Sequence, residues 1–141
     1  MIESVEVRIN DLSGRALDWA VAEADGLMPY PFKGEFWVLD GKTNAPLPKF
    51  STDWAQGGPL IDEYQLTISS PKSPVHRNGG PLNGWNESGS WTACTWEKGV
   101  TGKRAVAWDI ERPLVAACRA IVSAKFGGFV KVPAVLVGGA V

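Results

Sequence analysis

The sequence predicts a single α+β domain over residues 1–141, with a mainly antiparallel sheet packed by two principal helices. Three observations support this fold class. Several short segments alternate apolar and polar residues, as strands do, and two longer segments have helical periodicity. No internal repeat or linker divides the chain. Because the predicted strands outnumber the helices and follow one another directly, helices packed against a mainly antiparallel sheet are expected.

The first predicted elements are a strand and a helix. Apolar residues alternate with charged ones over Ser4–Ile9, which is typical of a half-buried strand. A helix then follows to about Asp25, and Gly26 suits the left-handed conformation that ends helices. On a helical wheel Trp19 lies in the apolar arc and Asp18 lies opposite it.

The middle of the chain is predicted to be rich in loops. The segment 27–48 carries four prolines and two glycines around one short strand or hairpin at Phe36–Leu39, and Asp40-Gly41 indicates a turn. Glu63–Ser69 alternates again and predicts a strand. Ser70–Ser90 is dense in Pro, Gly, Asn and Ser, so an irregular loop is expected. His76, the one histidine, is interpreted as a solvated residue of that loop.

The last third predicts a hairpin, a helix and a final strand. Trp91–Trp96 and Ala105–Ile110 have the spacing of an antiparallel hairpin. Pro113 opens a helix at the position where its missing N–H costs nothing, and the helix continues to about Phe126. Phe129–Val132 predicts a short strand. The apolar tail Val135–Val141 offers a surface for a possible homo-oligomer.

Composition argues against several classes of function. The 14 basic and 15 acidic residues give a net charge of −1, which provides no field for a nucleic acid. Metal binding is not expected, since one histidine and the widely spaced Cys94 and Cys118 do not form a zinc motif. The two cysteines are expected to be buried free thiols, as in a reducing cytosol. No cofactor motif is present, because both phosphate-binding glycine patterns are missing.

Two features indicate a cytoplasmic protein. The N-terminal residues lack the basic and apolar regions of a secretory signal. The longest mostly apolar stretch, Val130–Val141, is interrupted and too short to cross a bilayer. We therefore expect no membrane association and a cytoplasmic location.

The segment Ser51–Asp62 is the densest in unusual residues. Its glycine pair permits a close approach of a ligand or of another backbone, Trp54 can stack on a ligand, and Gln56 can both donate and accept hydrogen bonds. One interpretation is a polar pocket with an aromatic wall. The other is a tight bend that leads into a strand at Leu60–Ile61, with Trp54 filling the core. The sequence leaves both open.

Three blocks resemble a known family. Ala16–Ala22, Ser51–Ile61 and Pro113–Val122 appear in the order found in the NinX-like family of small bacteriophage proteins. The closing Phe126-Gly127 and Val130–Pro133 are similar to the family's C-terminal pattern. The segments 27–50 and 70–90 are longer than the family pattern.

The resemblance implies a phage or prophage accessory protein in the host cytoplasm, with no assigned reaction. It also marks eight polar, aromatic and glycine positions as candidate ligand-binding residues. These are Asp18, Trp19, Asp53, Trp54, Gln56, Gly57, Gly58 and Arg119. Arg119 is expected at the helix rim, within reach of an acidic partner such as Asp53 or of an anionic ligand.

A non-catalytic binding module for a small polar or anionic ligand is the favoured function. Closely spaced glycines, a tryptophan and a glutamine suit a pocket better than a flat interface. A module that binds a host protein is the first alternative. A small hydrolase is the second, because the carboxylates of Asp18 and Asp53 could converge in the fold. It is the weakest of the three, since no Ser/His/Asp or Cys/His arrangement is visible in the sequence.

Overall fold

The computed structural model describes residues 3–72, 74–76, 82–85, 89–95, 106–109 and 112–138. Helices and antiparallel sheets occur together, which confirms the predicted α+β class. The helices are α1 (Gly14–Ala24), α2 (Trp54–Glu63), α3 (Pro113–Phe126) and the short α4 (Ala134–Gly138). The strands are β1 (Ser4–Arg8), β2 (Met28–Phe32), β3 (Glu35–Asp40), β4 (Thr43–Pro46), β5 (Thr67–Ser69), β6 (Pro74–His76), β7 (Leu82–Trp85), β8 (Trp91–Cys94), β9 (Val106–Asp109) and β10 (Phe129–Pro133).

The described strands form four small antiparallel sheets rather than one large sheet. Their strand orders are β1-β10, β2-β3-β4, β5-β8-β9 and β6-β7. In the first sheet Val5 lies opposite Val132 and Arg8 lies opposite Phe129, so residues near both ends of the described chain pair. A 3₁₀ turn at Ile9–Asp11 connects β1 to α1.

The core is built around α1 and α3, which pack against each other. Residues 16–22 of α1 and 114–122 of α3 are all buried, so both helices are covered on nearly every side. Small side chains on α3, such as Ala116 and Ala120, allow it to lie close to the sheet that contains β8 and β9. This placement corrects the expectation that Asp18 lies on an exposed face, because Asp18 is fully buried.

The segment 27–48 was expected to consist of loops around one short strand or hairpin. The hairpin with a turn after Asp40 is present as β3 and β4, but the loop expected before it is wrong. The segment forms the three-stranded sheet β2-β3-β4, with turns at Lys33-Gly34 and at 41–42. The prolines that suggested loops lie in the two outer strands, Pro29 and Pro31 in β2 and Pro46 in β4. Proline is tolerated in an edge strand because its missing N–H can face away from the neighbouring strand.

The predicted strands at Leu60–Ile61 and Glu63–Ser69 are also corrected. Leu60 and Ile61 belong to α2, which ends at Glu63, and only Thr67–Ser69 is a strand. Within the stretch expected to be an irregular loop, β6 and β7 pair as an antiparallel hairpin with a register shift at Val75/His76. The side chain of His76 lies outside the described residues, as do 77–81 and 86–88.

The other elements agree with the sequence predictions. The strands β1, β8, β9 and β10 and the helices α1 and α3 lie where they were expected. Cys94 and Cys118 are not joined in a disulfide, as expected, although only Cys118 is fully buried. In the part of the chain that the structure describes, no helix is long and apolar enough to span a bilayer. The start of the apolar tail forms α4, and its Leu136 and Val137 pack against the main core.

Candidate functional site

The helix α2 begins with a hydrogen-bonded cap. The Asp53 carboxylate accepts hydrogen bonds from the Ala55 backbone N–H at 2.9 Å and from the Gln56 side-chain amide at 2.6 Å. The Gln56 side-chain oxygen in turn accepts a bond from the Lys49 N–H at 2.9 Å. The bond from Gln56, followed by that from Ala55, lowers the pKa of Asp53. Asp53 and Gln56 therefore organise the start of the helix.

The two glycines of α2 have different environments. A Cβ on Gly57 would overlap the Phe50 carbonyl oxygen and lie 3.0 Å from the Leu114 side chain. Gly57 is thus the position where α2 approaches the preceding turn and α3 most closely. A Cβ on Gly58 would meet only the Trp54 ring, at an ordinary 3.6 Å. Gly58 leaves room for the indole to lie along the helix.

An open groove of about 660 Å³ runs along this side of α2. Its lining combines one aromatic residue with polar and aliphatic ones: Trp54, Gly58, Ile61, Asp62, Gln65, Leu66 and Thr67. Trp54 is 54% exposed, which is high for a tryptophan, so its ring is available as a wall of the groove. Asp62 is the one charged residue of the described lining.

Asp18 lies away from this groove, in a buried network. One of its carboxylate oxygens accepts hydrogen bonds from the Ser51 N–H at 2.8 Å and the Ser51 hydroxyl at 2.7 Å. The other accepts a bond from Arg15 at 2.9 Å. Burial raises the pKa of Asp18, and the bonds from Ser51 and Arg15 oppose that rise. The arrangement anchors the turn before α2 and offers no surface to a substrate.

Trp19 is a core residue. It is 8% exposed, and its ring packs edge-on against Phe36 with the centroids 5.5 Å apart. It also hydrogen-bonds to the Glu23 carboxylate one turn later; burial raises the pKa of Glu23, and this bond opposes the rise. Trp19 therefore joins α1 to the sheet β2-β3-β4 and does not line the groove.

Arg119 is buried, and its partner is not the expected Asp53. Its guanidinium donates to the Leu12 carbonyl at 2.9 Å and to the Trp108 carbonyl at 2.7 Å, and it pairs with Asp109 at 3.3 Å. Burial lowers the pKa of Arg119 and the Asp109 carboxylate opposes this, but a guanidinium remains charged in proteins. Arg119 thus connects α3 to β9 and to the end of the 3₁₀ turn.

Residues 8–125 match the sequence family described as Bacteriophage P22, NinX. The chain belongs to this family. The match includes α1, α2 and α3 and therefore the groove, the Asp18 network and Arg119. It confirms the family indicated by the sequence blocks, and it indicates a phage accessory protein. A comparison with curated proteins found no match.

The eight candidate residues of this NinX-family chain do not form one pocket. Trp54 and Gly58 line the groove, whereas Asp53, Gln56 and Gly57 shape the helix that carries it. Asp18, Trp19 and Arg119 are buried and have other partners. The interpretation of Ser51–Asp62 as a bend into a strand with Trp54 in the core is wrong, because residues 54–63 form α2 and Trp54 is exposed. The interpretation as a ligand pocket stays a prediction.

Sequence reasoning missed five groove residues, Ile61, Asp62, Gln65, Leu66 and Thr67. Trp54, Gly58, Ile61 and Asp62 follow the i, i+4, i+7, i+8 spacing of one helical face. That spacing is present in the sequence, but the strand expected at Leu60–Ile61 is incompatible with a helical face there. Among the described residues, no group of three His, Cys, Asp or Glu side chains is arranged to hold a metal ion.

Proposed function

We propose that this protein is a non-catalytic binding module that holds a small polar ligand in the groove along α2, within the host cytoplasm. The observation that carries the proposal is Trp54, a half-exposed tryptophan that forms one wall of a groove of about 660 Å³. This volume is within the range of small-molecule sites. Tryptophan is enriched at binding interfaces, because its ring supplies a large apolar surface and its N–H one hydrogen-bond donor.

The helix start supports a preformed wall. Asp53 and Gln56 hydrogen-bond the first turn of α2, and Gly57 seats the helix against Phe50. A Cβ on Gly58 would meet the Trp54 ring only at an ordinary 3.6 Å. A wall carried by a capped helix is largely formed before a ligand binds, which reduces the ordering cost of binding.

The charges of the groove favour a neutral or positively charged ligand over an anionic one. Asp62 is the one charged residue in the described lining, and the N-terminus of α2 is already occupied by the Asp53 carboxylate. The indole face attracts cations, and a carboxylate pairs with them. Trp54 and Asp62 are about 12 Å apart along the helix axis, at 1.5 Å per residue, so only an elongated ligand would contact both.

A hydrolase that uses Asp18 and Asp53 receives no support from their positions. Asp18 has no exposed surface, and its oxygens are engaged by Ser51 and Arg15. Asp53 is engaged by Ala55 and Gln56 at the start of α2. A general acid or base has to reach the atom it protonates or deprotonates, and the buried Asp18 cannot do so.

The test is a melting-temperature screen with matched compounds of three charge types. The compounds are primary amines and guanidines, neutral amides and sugars, and carboxylates and phosphates, each with and without a ring. We expect ring-bearing cations to raise the melting temperature of the wild-type protein and to lose this effect in Trp54→Ala. A screen without hits, or hits that stabilise Trp54→Ala equally well, would overturn the proposal. Capture of one host protein by wild type but not by Trp54→Ala, with no small-molecule hit, would favour the host-protein alternative.

A further inference from the structure

A second, smaller cavity of about 330 Å³ lies where β1, β9 and the end of α3 meet. It shares no lining residue with the groove along α2. Its lining includes two aromatic rings, one cationic side chain and two further polar side chains above an apolar floor. These residues are Arg8, Ile9, Asn10, Trp108, Ser123 and Phe129.

We propose that this cavity binds a small molecule made of a flat aromatic ring with an attached anionic group. A nucleoside monophosphate and an aromatic carboxylate both have this chemistry. The proposal goes beyond the function proposed for α2, because it concerns a different site and a ligand of opposite charge.

The aromatic half of the ligand is indicated by the exposed rings. Trp108 is 42% exposed and Phe129 is 52% exposed, and both border the same cavity. Ile9, at 5% exposed, is the buried apolar side chain of the lining. Aromatic side chains that border a cavity provide surfaces on which a flat ring can stack, at about 1–3 kcal/mol per stacked base.

The anionic half is indicated by Arg8. It lies directly opposite Phe129 in the β1–β10 register, so the cation and an aromatic ring are neighbours at the cavity. In the part of the chain that the structure describes, the guanidinium of Arg8 and the side-chain amide of Asn10 make no hydrogen bond or ion pair. Arg8 is also the one charged residue of the described lining. An unpaired guanidinium can bind a carboxylate or phosphate with two hydrogen bonds.

Arg119 holds the walls of the cavity in place. Its guanidinium is bonded to the backbone of Trp108 at 2.7 Å and of Leu12 at 2.9 Å, so it joins β9 to the segment that carries Ile9 and Asn10. Ser123 lies one turn after Arg119 on α3 and lines the cavity itself. The Ile9 N–H also donates to the Gly128 carbonyl at 3.0 Å, which ties that segment to the start of β10. Arg119 is therefore a positioning residue of this site.

Calorimetric titration of the full chain tests the proposal. The probes are adenosine monophosphate and indole-3-acetate, with adenosine, indole, inorganic phosphate and acetate as the separate halves. We expect each complete probe to bind at least about tenfold more tightly than either of its halves. Binding of the complete probes should weaken as salt is added. If neither complete probe binds, the proposal is wrong.

Surface variants locate the binding. Arg8→Gln should reduce the affinity for adenosine monophosphate to that for adenosine, about tenfold, while Lys131→Gln, an exposed cation on the neighbouring strand, should leave it unchanged. Trp108→Ala should weaken the nucleotide and the nucleoside by similar factors of about ten. Equal binding by Arg8→Gln and wild type would overturn the proposal. So would loss of binding in Trp54→Ala, since the anion would then occupy the groove along α2.

Arg119→Lys separates positioning from general stability. It keeps the charge but cannot donate in the same planar geometry to both carbonyl groups. At a temperature where far-UV circular dichroism shows it folded, we expect weaker binding of adenosine monophosphate and unchanged binding of any ligand of the α2 groove. Equal weakening at both sites would assign Arg119 a structural role alone.

Discussion

Ser51 donates two hydrogen bonds to one carboxylate oxygen of Asp18, from its backbone N–H at 2.8 Å and from its hydroxyl at 2.7 Å. This buried contact links the middle of α1 to the turn that precedes α2. Arg15, one turn before Asp18, adds a bond to the Leu47 carbonyl at 2.8 Å. Together these bonds determine where α2 begins and thus where Trp54 lies.

Removal of the Asp18 carboxylate should destabilise the protein strongly. Asp18→Ala leaves the Ser51 N–H, the Ser51 hydroxyl and Arg15 without their acceptor, so we expect the free energy of unfolding to fall by about 2–4 kcal/mol. Ser51→Ala removes one of these bonds and should cost about 1 kcal/mol. The exposed neighbour Thr52→Ala is the control. Urea denaturation measures all three, and an Asp18→Ala protein as stable as Thr52→Ala would contradict the proposed anchor.

The charge state of Asp18 refines this prediction. Its pKa is raised above the ordinary 3.8 because burial outweighs the bonds from Ser51 and Arg15. The folded state therefore binds the proton more tightly than the unfolded state, and the stability contributed by the protonated form is lost as the pH rises through the folded-state pKa. Asp18→Asn, which is neutral and keeps an acceptor oxygen, should cost less than Asp18→Ala at pH 7. A larger cost for Asp18→Asn would contradict this.

The two glycines of α2 should respond oppositely to alanine. Gly57→Ala brings a methyl group onto the Phe50 carbonyl oxygen, so α2 has to move and we expect a loss of about 2 kcal/mol or more. Gly58→Ala meets only the Trp54 ring at 3.6 Å. It should be neutral or stabilising by up to about 1 kcal/mol, because alanine favours helix. Thermal denaturation of Gly57→Ala and Gly58→Ala tests this prediction, and equal melting temperatures of the two variants would contradict the described packing.

Glu63 should make the stability dependent on pH. A hydrogen bond shared with Asp25, together with desolvation and the Asp25 charge, raises the pKa of Glu63 to about 7. Because this folded-state pKa exceeds the ordinary value of 4.5, stability should fall as the pH rises from about 4.5 to 7. At pH 8 Glu63→Gln should have a higher free energy of unfolding than wild type, by less than about 1 kcal/mol because the site is largely exposed. At pH 5 the two proteins should be similarly stable. Glu35→Gln, at an exposed position away from Asp25, is the control: the difference between its free energy of unfolding and that of wild type should be the same at both pH values.

Cys118 should be protected from thiol reagents until the protein unfolds. Burial, with a smaller effect of the Asp18 charge, raises the pKa of its thiol, and the sulfur lies 3.5 Å from the Phe50 carbonyl oxygen. The partly exposed Cys94 should react first. In a Cys94→Ser variant the remaining thiol should react only in denaturant. Fast modification of this variant under native conditions would show that the core near α2 opens readily.

The helices and strands whose apolar residues recur at a regular spacing were predictable from the sequence. α1, α3 and the strands β1 and β10 have the apolar spacing of their element and clear end signals such as Gly26 and Pro113. The local pattern failed where tertiary packing overrode it. Prolines indicated loops in 27–48, but β2 and β4 are edge strands that accept them. Gly57-Gly58-Pro59 indicated a bend, yet these residues lie inside α2 because its start is capped by Asp53 and seated against Phe50.

The candidate site was only partly predictable, for a related reason. The sequence marked residues with special chemistry but not the direction in which each faces. Asp18 can be fully buried because Ser51 and Arg15 donate hydrogen bonds to its carboxylate. Arg119 can be buried because its guanidinium donates to two backbone carbonyl groups and pairs with Asp109. Apart from Arg15, which lies one turn before Asp18 on α1, these partners come from other elements of the fold, and no local pattern identifies them. Trp54, by contrast, is exposed on the wall of the groove, and its ability to stack on a ligand remains a prediction.

The most direct test of the central claim is the affinity of the best ligand from the charge-matched screen for two variants, measured by calorimetry. Trp54→Ala removes the wall of the groove, and Phe32→Ala removes an aromatic residue of similar exposure that does not line the groove. We predict that Trp54→Ala weakens binding of a cationic or neutral polar ligand about tenfold or more, and that Phe32→Ala leaves it unchanged. Equal affinity for the two variants would contradict a binding site on α2.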